Sequence, residues 1–117
     1  MRTKALITGV LTASLLLPSA SLGQSFDVKA RKGEWRPDSR VIDVGDKIVW
    51  SNPTSKKHNV VAYRGPWDKN TMLEPGETTR KRFKEPAVYK YRCSLHSTKA
   101  PGSPCRGMCG KIVVEKN

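Results

Sequence analysis

Four side chains in this sequence are donors that transition metals use. Cys93 offers a thiolate, His96 an imidazole and Met108 a thioether, all within the stretch Tyr91–Gly110. The only other histidine, His58, stands upstream at the start of the apolar run Asn59-Val60-Val61-Ala62-Tyr63. Soft sulfur favours Cu(I) and imidazole nitrogen accommodates Cu(II). Two imidazoles, one thiolate and a weak thioether therefore suit copper in both oxidation states. A site that meets both states partway reorganises little when an electron moves.

Each donor also has a plainer reading. A lone histidine near a strand start is more often hydrogen-bonded than metal-bound. A methionine in a β protein usually fills the core, and Met72, in a loop, is read that way. Cys93 could be a buried thiol, or could pair with Cys105 or Cys109.

The elements that must position these donors read as strands. Short runs rich in β-branched and aromatic residues alternate with Gly, Pro, Asn and Asp, and helix signals are nearly absent. The runs are Phe26–Ala30, Val41–Val44, Lys47–Ser51, His58–Tyr63, Thr78–Lys84, Val88–Cys93 and Gly110–Glu115. Arg31–Pro37 reads as a polar connection holding Trp35, and Arg64–Gly76 as a long one. The expectation is an all-β Greek-key sandwich or barrel of seven to eight strands. Alternation puts Tyr89, Tyr91 and Cys93 on one face, with Lys90 and Arg92 on the other. In the earlier strand His58, Val60 and Ala62 share a face. A cysteine and a histidine then point inward near one end of the sandwich.

Composition bounds the setting. The chain has 117 residues, enough for one domain. Arg2 and Lys4 precede an apolar run from Ala5 to Leu17, and small residues follow at Ser21 and Gly23. That layout predicts an export signal over residues 1–23, followed by a domain over 24–117. As a helix the apolar run spans about 20 Å, short of the ~30 Å hydrocarbon core, so no transmembrane segment is expected. Removal of the signal lowers the formal net charge of +12 by two. The protein is then expected to be secreted, periplasmic or at the cell surface. So basic an exported chain is drawn to anionic surfaces or acidic partners rather than to nucleic acid. The cluster Arg80-Lys81-Arg82 with Lys84 reads as a solvated strand face. Three cysteines leave one over after pairing in an oxidising compartment. If Cys93 is a metal ligand, Cys105 and Cys109 remain.

Taken together, these segments resemble the cupredoxins, the blue copper proteins like plastocyanin and azurin. The family pattern appears as Tyr91-x-Cys93-x-x-His96, a spacer, then Met108-x-Gly110-x-Ile112-x-Val114. Its upstream partner is His58-Asn59-Val60, preceded by Val44-Gly45-Asp46-x-Ile48-x-Trp50-x-Asn52, with the turn Pro75-Gly76-Glu77-Thr78 beyond. The resemblance implies one copper ion held by His58, Cys93, His96 and an axial Met108. It implies that Asn59 tethers the loop through Ser94 and directs its N–H to the Cys93 sulfur. It implies one-electron transfer by a non-enzymatic carrier that meets redox partner proteins; the chain is expected to be a monomer, and its charge points to acidic partners. His96 would be the exit, with Ala100, Pro101 and Pro104 as a small apolar contact and Lys99 and Arg106 at its rim. The spacer after His96 is longer than in ordinary plastocyanins, and a Cys105–Cys109 disulfide in it would restrain Met108.

Three other readings compete. Copper storage or delivery would use the same ligands. Cys93, His96, Cys105 and Cys109 have the spacing of a zinc knuckle, which with this charge would suggest nucleic-acid binding. That reading ignores His58 and Met108. A Cys/His nucleophile pair lacks a third orienting group.

Overall fold

The computed structural model describes residues 23–116. The expected export signal, residues 1–23, lies outside the described residues except for Gly23. Nine strands follow: β1 (Ser25–Arg31), β2 (Glu34–Arg36), β3 (Ser39–Asp43), β4 (Lys47–Ser51), β5 (His58–Arg64), β6 (Asn70–Leu73), β7 (Thr78–Arg82), β8 (Ala87–Thr98) and β9 (Arg106–Glu115). They form two sheets, ordered β2-β1-β4-β7 and β3-β9-β8-β5-β6. Pairing is parallel for β1 with β4 and β3 with β9, and antiparallel elsewhere. Among the described residues, no helix is long and apolar enough to cross a membrane.

The all-β sandwich matches the sequence expectation, with two short strands added. β2 lies in the stretch read as a polar connection. It turns back on β1 through Lys32-Gly33, pairing Arg31 with Glu34 and Ala30 with Trp35. Trp35 drives that turn inward, because its indole is 1% exposed and carries a large apolar surface. β6 lies in the long connection and pairs with the first half of β5. The last two strands also run further toward each other than their hydrophobic patterns suggest. β8 continues past Cys93 to Thr98, and β9 begins at Arg106 rather than Gly110.

The two inner faces enclose an aromatic core. Tyr91 lies edge-on to Trp35 and Trp50, with ring centroids 5.7 and 5.4 Å apart. Trp67, Phe83 and Tyr89 extend the cluster. Burial pushes the Tyr91 phenol far up, so it stays neutral. The ring of Tyr91 has room only because its partner across the ladder is Gly110. A Cβ at that position would lie 2.2 Å from the Tyr91 Cζ. Gly110→Ala is therefore expected to displace Tyr91 and cost about 1–3 kcal/mol through overpacking. Urea unfolding with an unchanged m-value and a lowered midpoint would show this; an unchanged midpoint would refute it.

Candidate metal centre

His58 opens β5 and is 2% exposed; Cys93 and Met108 are fully buried, and His96 is exposed. The β8–β9 ladder is regular up to Arg92–Cys109 and resumes at Ser97–Gly107. Between those pairs the register shifts, and the shifted segment carries Cys93 and His96. Met108 lies on β9 opposite that segment. The structure thus places all four predicted donors at one end of the sandwich, where β5, β8 and β9 meet.

Donor atoms of His58, Cys93 and His96 lie within 4.8 Å of one another. The Cys93 Sγ is 3.7 Å from His58 Nδ1 and 3.3 Å from His96 Nδ1. First-row metal–ligand bonds of about 2.0–2.3 Å place tetrahedral donors roughly 3.5 Å apart. The two sulfur–nitrogen separations match that spacing, and the trio is of a size to close on a single copper ion.

Asn59 joins the two sides of this arrangement. Its backbone N–H points at the Cys93 Sγ, 3.4 Å away. Its side-chain amide donates to Ser94 Oγ at 2.8 Å and accepts from the Ser94 N–H at 2.7 Å. A second brace comes from the other side of the strand. The Arg92 guanidinium donates to Ser97 Oγ at 2.9 Å, and that hydroxyl donates to the Cys93 carbonyl at 2.6 Å. Gly107, at φ +98°, brings β9 so close that a Cβ would lie 2.7 Å from the His96 carbonyl oxygen.

Two residues beyond β4 orient His58: Asn52, the last residue of the motif, and Thr54, which the motif does not single out. The His58 Nε2 lies 3.0 Å from Thr54 Oγ1. The Thr54 hydroxyl has a nearer acceptor in Asn52 Oδ1, at 2.7 Å, than in the Lys56 carbonyl, at 3.1 Å. With its proton on Asn52, Thr54 accepts the Nε2 proton of His58. That tautomer leaves the Nδ1 lone pair facing Cys93. Asn52 is itself buried and donates to the carbonyls of Lys56 and Leu73 at 2.7 and 2.9 Å. Burial, reinforced by the neighbouring His96, pushes the His58 imidazolium down in pKa, which keeps the ring neutral and able to donate.

Cys105 and Cys109 form a disulfide, with Cα atoms 6.2 Å apart and Met108 inside the closed loop. The zinc-knuckle set of Cys93, His96, Cys105 and Cys109 is therefore not available: two of its four donors are bonded to each other. Cys93 is the free cysteine among the described residues.

The fold and donor set are those of a copper-binding β-sandwich, and the chain belongs to the plastocyanin/azurin family of copper-binding proteins, whose model matches residues 24–115. Among individual relatives, amicyanin-alpha of Methylorubrum extorquens is 31% identical over 117 residues, covering 97% of this chain and 87% of that protein. A solved structure of an oxidised amicyanin variant shares 27% identity at a TM-score of 0.62, covering 78% of this chain and 82% of its own. A purple cupredoxin from Nitrosopumilus maritimus is alike in fold, with 24% identity, a TM-score of 0.60 and coverage of 76% and 98%.

The Thr54 contact is directly testable. Thr54→Val keeps the shape but leaves the His58 Nε2 proton without an acceptor. Loss of such an outer contact costs about 10–100-fold in metal affinity. Copper competition against a chelator is expected to show that loss for Thr54→Val and near-recovery for Thr54→Ser. Equal affinity in all three proteins would remove Thr54 from this role.

Proposed function

We propose that this protein carries single electrons outside the cytoplasm, using one type 1 copper ligated by His58, Cys93 and His96 with Met108 as axial ligand. The observation that carries the reading is the assembled trio of two Nδ1 atoms and one thiolate, held by contacts that do not involve the metal. Copper, when bound, supplies the change between Cu(I) and Cu(II). The protein's own part is to hold the donors still and exclude water. Asn59 fixes the thiolate, Thr54 fixes one imidazole, and Gly107 and the disulfide bring β9 and Met108 up to the site.

The family match and the amicyanin likeness support an electron carrier rather than an enzyme. A storage or delivery protein must let its metal go. Full burial of Cys93 and its hydrogen bond from Asn59 favour retention instead. The amino-terminal pattern of residues 1–23 supports export to the periplasm, cell surface or medium. We read the protein as a monomer that meets an acidic redox partner at the face where His96 is exposed, with Lys99 and Arg106 near its rim. An association driven by charge slows as salt rises.

A visible spectrum of the copper-loaded protein tests the ligand assignment. An intense thiolate-to-Cu(II) band is expected, and Cys93→Ser is expected to abolish it. A Cys93→Ser protein that remained intensely blue would show that another residue supplies the thiolate.

A further inference from the structure

Beside the two histidines lies a depression of about 500 Å³, lined by Lys32, Gly33, Thr54, Ser55, Lys56, His58 and His96. Both of its ionisable side chains besides the histidines are cationic, and no carboxylate lines it. Two turns form it. Lys32 and Gly33 make the tight β1–β2 turn, where Gly33 takes φ +72°. Lys56 sits in the β4–β5 loop, and its backbone is held by the same residues that orient His58. Its carbonyl accepts from Asn52, and its N–H donates to Thr54 Oγ1 at 3.3 Å. The neighbouring Arg31 and Lys57 are exposed and add to the positive field. Among the described residues the one ion pair is Arg36–Glu34, so neither Lys32 nor Lys56 is neutralised by an acid. Lys99 does not line the depression and is already engaged. Its ammonium donates to the Ala100 carbonyl at 3.0 Å and lies 5.8 Å from the centre of the Tyr63 ring.

We propose that this depression is the docking site for a carboxylate-rich surface segment of the electron-transfer partner, with Lys32 and Lys56 as its anchors. The inference rests on the electron-carrier reading and adds the place and chemistry of the contact. A carboxylate seated between the two lysines would lie against the exposed His96. Charge would then raise the encounter rate and also fix the orientation in which the donor and acceptor approach. The net charge of +12, lowered by two once the export signal is removed, would draw acidic proteins to the molecule as a whole. The two turns select which face they meet.

Two measurements decide it. The first is the rate at which the reduced copper protein is oxidised by hexacyanoferrate(III) at low ionic strength. Lys32→Gln/Lys56→Gln is expected to lower the rate about five-fold or more. Lys47→Gln/Lys84→Gln removes the same charge near the far ends of β4 and β7, and is expected to lower it by less than about two-fold. Equal losses would mean that only net charge matters and would overturn the proposal. The second uses the full chain under ascorbate, which keeps any bound copper diamagnetic, and adds redox-inert hexacyanochromate(III). Selective NMR broadening of the Lys32, Gly33, Ser55 and Lys56 amides is expected, as is its reversal by a hexaglutamate peptide at lower concentration than by inorganic phosphate. Broadening centred elsewhere, or phosphate displacing as well as the peptide, would overturn it. A protein that binds the probe here but never turns blue would instead defeat the electron-carrier reading, so the two failures are distinct.

Discussion

The site depends on how Asn59 bridges a gap in a sheet. Strands β8 and β9 stop pairing regularly after Arg92, because the segment that follows must bring both Cys93 and His96 to one point. A break in a ladder leaves backbone groups without partners, and buried ones must find others. Asn59 supplies them from β5. Its side chain acts as a surrogate peptide, giving and taking one hydrogen bond with Ser94. Its own N–H points to the Cys93 sulfur. Each such bond contributes only about 1 kcal/mol net to stability. Their greater effect is geometric, since the thiolate position becomes a property of two strands rather than of a free loop.

Other contacts close the arrangement from further directions. Arg92 reaches Ser97, and Ser97 holds the Cys93 carbonyl, so the shifted segment is braced before and after the thiolate. The Cys105–Cys109 disulfide ties β9 to the spacer just where Met108 faces the same segment. A cross-link removes chain entropy mainly from the unfolded state. Here it also limits how far a flexible thioether side chain can drift. Asn52 and Thr54 finish the frame by fixing the tautomer of His58. The donors can therefore stand close together in the protein without relying on a metal to gather them.

The features of this arrangement divide by how local their causes are. The inward placement of Tyr89, Tyr91 and Cys93 follows from strand alternation, which is written in consecutive residues. The donor types were legible for the same reason, since a cysteine or histidine announces its chemistry by identity. Strand β2 was not, because three residues with charged flanks carry no period, and only the burial of Trp35 explains them. The extension of β8 to Thr98 was hidden too. A spacer rich in Pro and Gly reads as loop, and the pairing of Ser97 and Thr98 with β9 depends on a partner beyond that spacer. Thr54 was silent as well, and Asn52, though part of the motif, gave no sign of its role. Their roles come from loop closure against β5 and β6, which no spacing rule encodes.

Electrostatics then works in one direction across the whole site. The Cys93 sulfur is fully buried, where charge is poorly solvated and interactions are strong. One carboxylate at the same depth would stabilise the more highly charged state of a bound metal. No acidic group joins His58, Cys93 and His96 within the donor cluster. What surrounds them is an N–H dipole aimed at the sulfur and lysines at the mouth. Both favour less positive charge at the centre. The same cationic rim that would draw an acidic partner would therefore also favour the reduced form of a bound copper. A carboxylate docked between Lys32 and Lys56 would weaken that bias. On this proposal, docking and the tendency to release an electron would be coupled through the charge of two lysines.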